Sequence, residues 1–250
     1  MCTLIILRRP EHPWPVIIAA NRDEMIDRAA LPPGRHWPDR AEVVAGRDLL
    51  AGGSWLGVND WGVAAAVLNR HGSLGPARGL RSRGELVLEA LDHSDAVAAA
   101  AALGDLDPAA YRTFNLIVAD NRDAFWLCHR GIGRIETWPI QEGLSLIAAG
   151  DLDDLSTPRL ALAAPRFRAA PAPDPENGAW EAWQELLGDD RAPAGAPADA
   201  ALRFTTARGY GTVSSALIAL PAEPSPERGT AFRFAAWLPE PAPWRDVTAK

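Results

Sequence analysis

The sequence predicts an α+β protein in which antiparallel sheets stack and helices cover their outer faces. Two observations carry this. Short β-branched and aliphatic runs come as hairpin pairs with turn residues between them, and stretches of helical spacing interrupt them in groups, giving the order strands, helices, strands, helices, strands. A doubly wound parallel sheet would instead alternate strand with helix.

The first strand is Thr3-Leu4-Ile5-Ile6-Leu7. The loop behind it holds Pro10, Pro13 and Pro15, which cannot extend a ladder, and Val16-Ile17-Ile18-Ala19-Ala20 resumes the strand pattern. If Leu7 pairs with Val16, antiparallel register puts Cys2 opposite Asn21, beside the polar block Asn21-Arg22-Asp23-Glu24. A second hairpin runs Trp55-Leu56-Gly57-Val58, turns at Asn59-Asp60-Trp61-Gly62, and returns through Val63 to Leu68, ending on Asn69. Ser82 and Glu85 have capping-box spacing before an apolar run, so a helix is expected there. A second helix follows over residues 95–103, and Asp107-Pro108 offers an N-cap and first-turn proline for one more short turn. Strands are expected again over 114–119, 124–129, 134–139 and 144–149, then helices over 158–169 and 178–187, then strands over 212–220 and 231–238. Alanine-proline-rich loops at 171–175 and 192–200 belong on the surface.

A chain of 250 residues, 48% hydrophobic and 23% charged, suits one globular domain over residues 1–250. The net charge of −7 argues against nucleic acid as a partner. Two cysteines, Cys2 and Cys128, make neither a disulfide framework nor a four-cysteine zinc site, and a reducing cytoplasm fits. No secretory signal and no spanning segment are read from the chain, since its longest apolar runs fall far below the roughly 18 residues a membrane span needs. There is no Gly-rich phosphate loop, and His12, His36, His71 and His93 lack ligand spacing, so neither cofactor nor metal is expected. In the strand over 124–129, alternation separates Cys128 from His129, with Cys128 expected buried and His129 exposed.

Cys2 is the most informative residue. Once Met1 is trimmed, Cys2 carries both a thiol and a free α-amine with a reference pKa of about 7.7–8.0, so one residue supplies nucleophile and base. The alternative reading of Cys2 is a small apolar strand residue. Asn21, Arg22, Asp23 and Glu24 are candidates to hold the α-ammonium and to lower the thiol pKa through nearby positive charge, although alternation puts Asn21 and Asp23 on one face and Arg22 and Glu24 on the other. Asn69 is a candidate oxyanion donor, because a neutral amide stabilises developing charge without competing for protons. Trp55 and Trp61, in early loops and turns, are candidates to line an apolar substrate pocket.

The start Met1-Cys2-Thr3, the block Ala20-Asn21-Arg22-Asp23-Glu24, Gly46-Arg47-Asp48-Leu49, Gly52-Gly53-Ser54-Trp55-Leu56-Gly57-Val58-Asn59, Leu68-Asn69-Arg70, Ser82-Arg83-Gly84-Glu85-Leu86 and Phe114-Asn115-Leu116-Ile117 resemble the NRDE family, also called the transport-and-Golgi-organisation family. That family is similar to N-terminal-nucleophile hydrolases of the penicillin V acylase and bile-salt hydrolase group. The resemblance implies a four-layer αββα sandwich, Cys2 as nucleophile on a non-peptide C–N bond of a small N-acyl compound, the block 21–24 as assisting cluster and Asn69 at the oxyanion. The pattern departs late in the chain: Leu144-Ser145-Leu146 stands where relatives have Leu-Ser-Asn, leaving Asp151 as the stand-in for a second oxyanion residue. Gly211-Thr212-Val213 stands in place of Gly-Thr-Arg, with Arg208 only nearby. Two other readings stay open. One is a carrier of haem or acyl lipid on the same fold, as eukaryotic relatives suggest, and the other is a glutaminase domain, for which the chain lacks a synthase partner. The partner expected is a small molecule, and the sequence leaves the oligomeric state open.

Overall fold

A computed structural model describes residues 2–225 and 228–247. Met1, whose removal a free Cys2 amine requires, lies outside them. In chain order the elements are β1 (Thr3–Arg8), β2 (Val16–Met25), β3 (Ala30–Gly34), β4 (Val43–Asp48), β5 (Leu56–Asn59), β6 (Ala64–Asn69), α1 (Gly84–Leu91), α2 (Ala96–Gly104), β7 (Phe114–Ala119), β8 (Ala124–His129), β9 (Glu136–Pro139), β10 (Gly143–Ile147), α3 (Pro158–Ala169), α4 (Glu181–Leu187), β11 (Tyr210–Leu220), β12 (Ala231–Ala236) and β13 (Ala242–Asp246). Residues up to 27 with 142–246 form one unit, and residues 28–141 form the body of the other.

The first unit holds a six-stranded sheet in the order β10-β1-β2-β11-β12-β13, each neighbouring pair antiparallel. One face carries Ile5, Ile17, Ala19, Leu146 and Leu217, and onto it pack Leu160, Ala163, Ala164 and Phe167 of α3 with Trp183 and Leu187 of α4. The recurrence of α3's buried side chains at 160, 163, 164 and 167 makes this face. Trp183 meets Phe167 edge to face at 5.0 Å, and each such fully buried large side chain stabilises the unit by about 1.5–3 kcal/mol. The second unit holds a seven-stranded sheet in the order β3-β4-β5-β6-β7-β8-β9. Its core joins Val43, Ala45, Ala65, Leu116, Val118 and Leu127 to Leu86, Val87 and Leu91 of α1 and Ala96, Ala99 and Leu103 of α2. Among the described residues, no helix is long and apolar enough to cross a membrane.

Several local expectations need correction. The Leu7–Val16 pairing is off by one: Leu7 pairs with Ile17 and Arg8 with Val16, so the same register places Cys2 opposite Arg22, not Asn21. The strand does not stop at Ala20 but runs to Met25, because β11 pairs with it along its whole length. The expected capping box is absent. Arg83 occupies the N-cap without a side-chain cap bond, Ser82 Oγ accepts from the Gly84 N–H at 3.2 Å, and Glu85 pairs with Arg81. Asp95 does cap α2, accepting from the Ala98 N–H, and Asp107 caps the short turn at Pro108–Ala110. His129 is buried rather than exposed, 5.8 Å from the Phe114 ring. Three strands went unread: β3 contains Pro32 and Pro33, β13 contains Pro243, and β4 has only three apolar residues before Gly46. Both proline-bearing strands are sheet edges, where a missing N–H costs no ladder bond.

Candidate active site

Cys2 precedes β1, and its sulfur lies against the backbone of Asp23. The Asp23 N–H donates to Sγ at 3.3 Å, and the thiol faces the Asp23 carbonyl oxygen at 3.6 Å. The Cys2 residue is half-buried. Thr3 pairs with Asn21 in the β1–β2 ladder, and strand alternation sets Cys2 on the face of Arg22 and Glu24, opposite the face of Thr3, Asn21 and Asp23.

On that opposite face, Asp23 is part of a closed ionic cluster. Its Oδ2 accepts from Nη1 of Arg159, in the first turn of α3, at 2.6 Å, and the two side chains are 0% and 4% exposed. Its Oδ1 accepts from the Thr212 hydroxyl of β11 at 2.8 Å. Arg159 Nη1 also donates to Thr3 Oγ1 at 3.1 Å, its Nε donates to the Asp199 carbonyl at 2.8 Å, and its guanidinium lies 4.7 Å from the Phe204 ring centroid. A buried carboxylate and guanidinium tolerate loss of water only when paired and hydrogen-bonded. The Tyr210 hydroxyl approaches the Asp23 carbonyl at 3.4 Å.

These surroundings settle the direction of the thiol's titration. Burial pushes the Cys2 thiol up, and the Asp23 carboxylate adds to the push, outweighing the N-terminal ammonium, Asp23's N–H and the Arg22 charge, which act downward in that order. With residue 1 in place, the negative charge and desolvation together exceed the nearby positive charge. Burial likewise raises Tyr210, with Cys2 and Asp23 next in effect. Alkylation of Cys2 by iodoacetamide is therefore expected to be slow at pH 7 and to rise only above the ordinary thiol range near 8.5. Peptide-resolved mass spectrometry over a pH series checks this, and half-maximal labelling below pH 8 would contradict it.

The other predicted residues are placed as follows. Asn21 is buried, its Nδ2 donates to the carbonyls of Leu187 and Leu202 at 3.0 and 2.8 Å, and its Oδ1 accepts from Ser215. Its amide thus ties β2 to the segments beside α4 rather than serving Cys2. Arg22 is buried on the Cys2 face. Glu24 turns its Oε1 to the Met25 N–H at 2.8 Å. Asp151 is half-buried in the turn after β10; since Ile147 pairs with Leu4, the same register puts Ala149 opposite Cys2 and Asp151 two residues on. Asn69, Trp55 and Trp61 belong to the second unit. Asn69 ends β6 opposite Phe114, Trp55 is half-buried, and Trp61 is exposed in the β5–β6 turn. Arg208 is exposed in the turn before β11.

Sequence reasoning missed Arg159, Thr212 and Tyr210 as members of this cluster. For Arg159 a signal existed. It shares one helical stripe with Leu160, Ala163, Ala164 and Phe167, and a charged residue on an apolar face needs a buried partner.

Comparison with solved structures places this geometry in a known fold. Penicillin V acylase from Agrobacterium tumefaciens superposes with a TM-score of 0.63 at 16% identity, covering 99% of this chain and 86% of that one. The Caenorhabditis elegans N-acylethanolamine-hydrolyzing acid amidase ortholog gives 0.55 at 12% identity, covering 92% and 98%. A variant of conjugated bile acid hydrolase from Clostridium perfringens gives 0.53 at 11% identity, covering 99% and 92%. The likeness shows the fold alone, an α+β fold with two antiparallel sheets like that of these proteins. Among curated proteins compared by sequence, none matches. The profile of one family, Transport and Golgi organisation 2, runs from residue 1 to residue 223, across Cys2, the block 21–24, Asn69, Arg159 and Thr212. By that match the chain belongs to the Transport and Golgi organisation 2 family.

Proposed function

We propose that the protein is an N-terminal-cysteine amidohydrolase acting on the C–N bond of a small N-acyl compound. The observation that supports this most is the seat of Cys2: a sulfur held by the backbone of a carboxylate residue that is itself locked by a buried ion pair. The raised thiol fits a mechanism in which the nucleophile rests protonated and needs a base at hand. With Met1 removed, the Cys2 α-amine is that base. It takes the thiol proton as Sγ bonds to the amide carbon, and the carbonyl electrons move to the oxygen. Collapse breaks the C–N bond, and the α-ammonium protonates the leaving amine. Water, deprotonated by the same amine, then hydrolyses the thioester to release the carboxylic acid and restore the thiol. Asp151, in the same unit as Cys2, is the proposed contact at the oxyanion.

The test is a panel containing penicillin V, an N-acylethanolamine and a conjugated bile acid, read as release of amine, with intact mass reporting whether Met1 is removed. Turnover by the processed protein is expected to fall by at least about a thousandfold in Cys2→Ala. Retained Met1, or turnover unaffected by Cys2→Ala, would sink the mechanism. The same upward push on the thiol is also what a ligand carrier would tolerate. Binding of haem or an acyl lipid that survives Cys2→Ala, without amine release from any member of the panel, would select that second reading.

A further inference from the structure

We propose that Arg159 is the positioning residue of the Cys2 site, a guanidinium on α3 that pins β1 to β2 on the far face of the sheet so that the Asp23 N–H stays aimed at Sγ. This rests on Cys2 being the reacting group of the proposed function. One nitrogen, Nη1, bonds both Thr3 Oγ1 and Asp23 Oδ2, and these residues flank the sulfur: Thr3 follows Cys2 in the chain, and Asp23 supplies the N–H it accepts. Nε fixes the guanidinium to the Asp199 carbonyl, and the Phe204 ring lies against its face. Thr212, on β11, holds the remaining carboxylate oxygen, so the Asp23 side chain is fixed from two elements besides its own strand.

The arrangement divides labour across the sheet. The side chain of Asp23 is held on the helix-covered face, and its backbone presents the site on the other. Arg159 therefore acts on the sulfur only through Asp23 and Thr3 and touches no substrate. The charged and titratable groups around Cys2 and Asp23 are the N-terminal ammonium, Arg22 and Glu24 on β2, Tyr210 on β11 and Arg159 itself. If Arg159 is lost, the Asp23 N–H that draws the thiol down loses its aim and the Asp23 carboxylate loses the cation that balances it, so the thiol is pushed further up.

The test compares Arg159→Met and Arg159→Lys with Leu160→Ala, a cavity variant of the adjacent buried residue that destabilises α3 without touching Asp23. Iodoacetamide labelling of Cys2 is followed against pH by peptide mass spectrometry, with melting temperature measured alongside. Arg159→Met is expected to label roughly tenfold more slowly at pH 7, equivalent to one pH unit upward in the labelling profile, while amide turnover loses kcat with KM little changed. Arg159→Lys, whose single ammonium cannot serve Thr3, Asp23 and Asp199 together, is expected to fall between. Leu160→Ala should melt earlier with the parental labelling profile. The proposal is overturned if Arg159→Lys labels like the parent, or if Leu160→Ala shifts the profile as far as the arginine variants. The labelling arm needs no turnover, so failure of the amidohydrolase reading and failure of Arg159's role are read separately.

Discussion

Asp23→Leu is expected to destabilise the protein by about 3–5 kcal/mol, because it strands a buried guanidinium. Arg159 is 4% exposed and would keep only Thr3 Oγ1 and the Asp199 carbonyl as polar partners of the bonds described above. The Thr212 hydroxyl would lose its 2.8 Å acceptor at the same time, retaining the longer approach to the Leu202 carbonyl at 3.3 Å. For a chain of this size, each kcal/mol moves the melting temperature by about 2–4 °C, so a fall on the order of 10 °C is expected in calorimetry. The double variant Asp23→Leu/Arg159→Met should recover part of the loss, since it removes the stranded charge, while Thr3 Oγ1, the Thr212 hydroxyl and the Asp199 carbonyl still lose these bonds. A single variant as stable as the parent would mean that Arg159 reaches water readily, against its burial.

Gly53→Ala is expected to cost about 3 kcal/mol, at the top of the usual range for overpacking. A methyl at residue 53 would lie 2.4 Å from the carbonyl carbon of Gly84 and 2.7 Å from its oxygen, both backbone atoms. Gly84 cannot retreat cheaply. It opens α1, whose Leu86, Val87 and Leu91 are buried in the second unit's core, and its carbonyl accepts from the Ser54 N–H at 3.0 Å. A side chain that clashes with a rotamer can turn aside, whereas here the strain passes to a whole helix. Urea denaturation should show a lower midpoint with unchanged slope. Parental stability would indicate that α1 shifts freely on the sheet.

The Gly53–Gly84 contact also gives a reason for the glycines in two short blocks, Gly52-Gly53-Ser54 and Arg83-Gly84-Glu85. Their pairing was not legible, because a backbone-to-backbone approach leaves no hydropathy pattern. What was legible followed from local physics. Apolar alternation marked β1, β5–β8 and β11, and Asp95 and Asp107 marked helix starts through their own side-chain caps. Strands β3, β4 and β13 were lost because two prolines, a scarcity of apolar residues and an edge position each weaken that alternation. His129 was misread because alternation assumes one wet face, whereas β8 is covered around that residue by Phe114 on the neighbouring strand.

For the site, the sequence by itself determined that a cysteine at the head of one strand meets a polar block at the end of the next. Chain order and a proline-broken loop suffice for that. Only the tertiary structure decided how they meet. Because side chains alternate across a sheet, a shift of one residue in register moves Cys2 from the face of Asn21 and Asp23 to the face of Arg22 and Glu24. Asp23 then reaches the sulfur through its backbone, leaving its carboxylate for Arg159, more than a hundred residues away in the chain. Register is set by the summed pairing of β1, β2 and β11, and the partner of Asp23 by where α3 docks; both are long-range packing decisions that no window of the sequence contains.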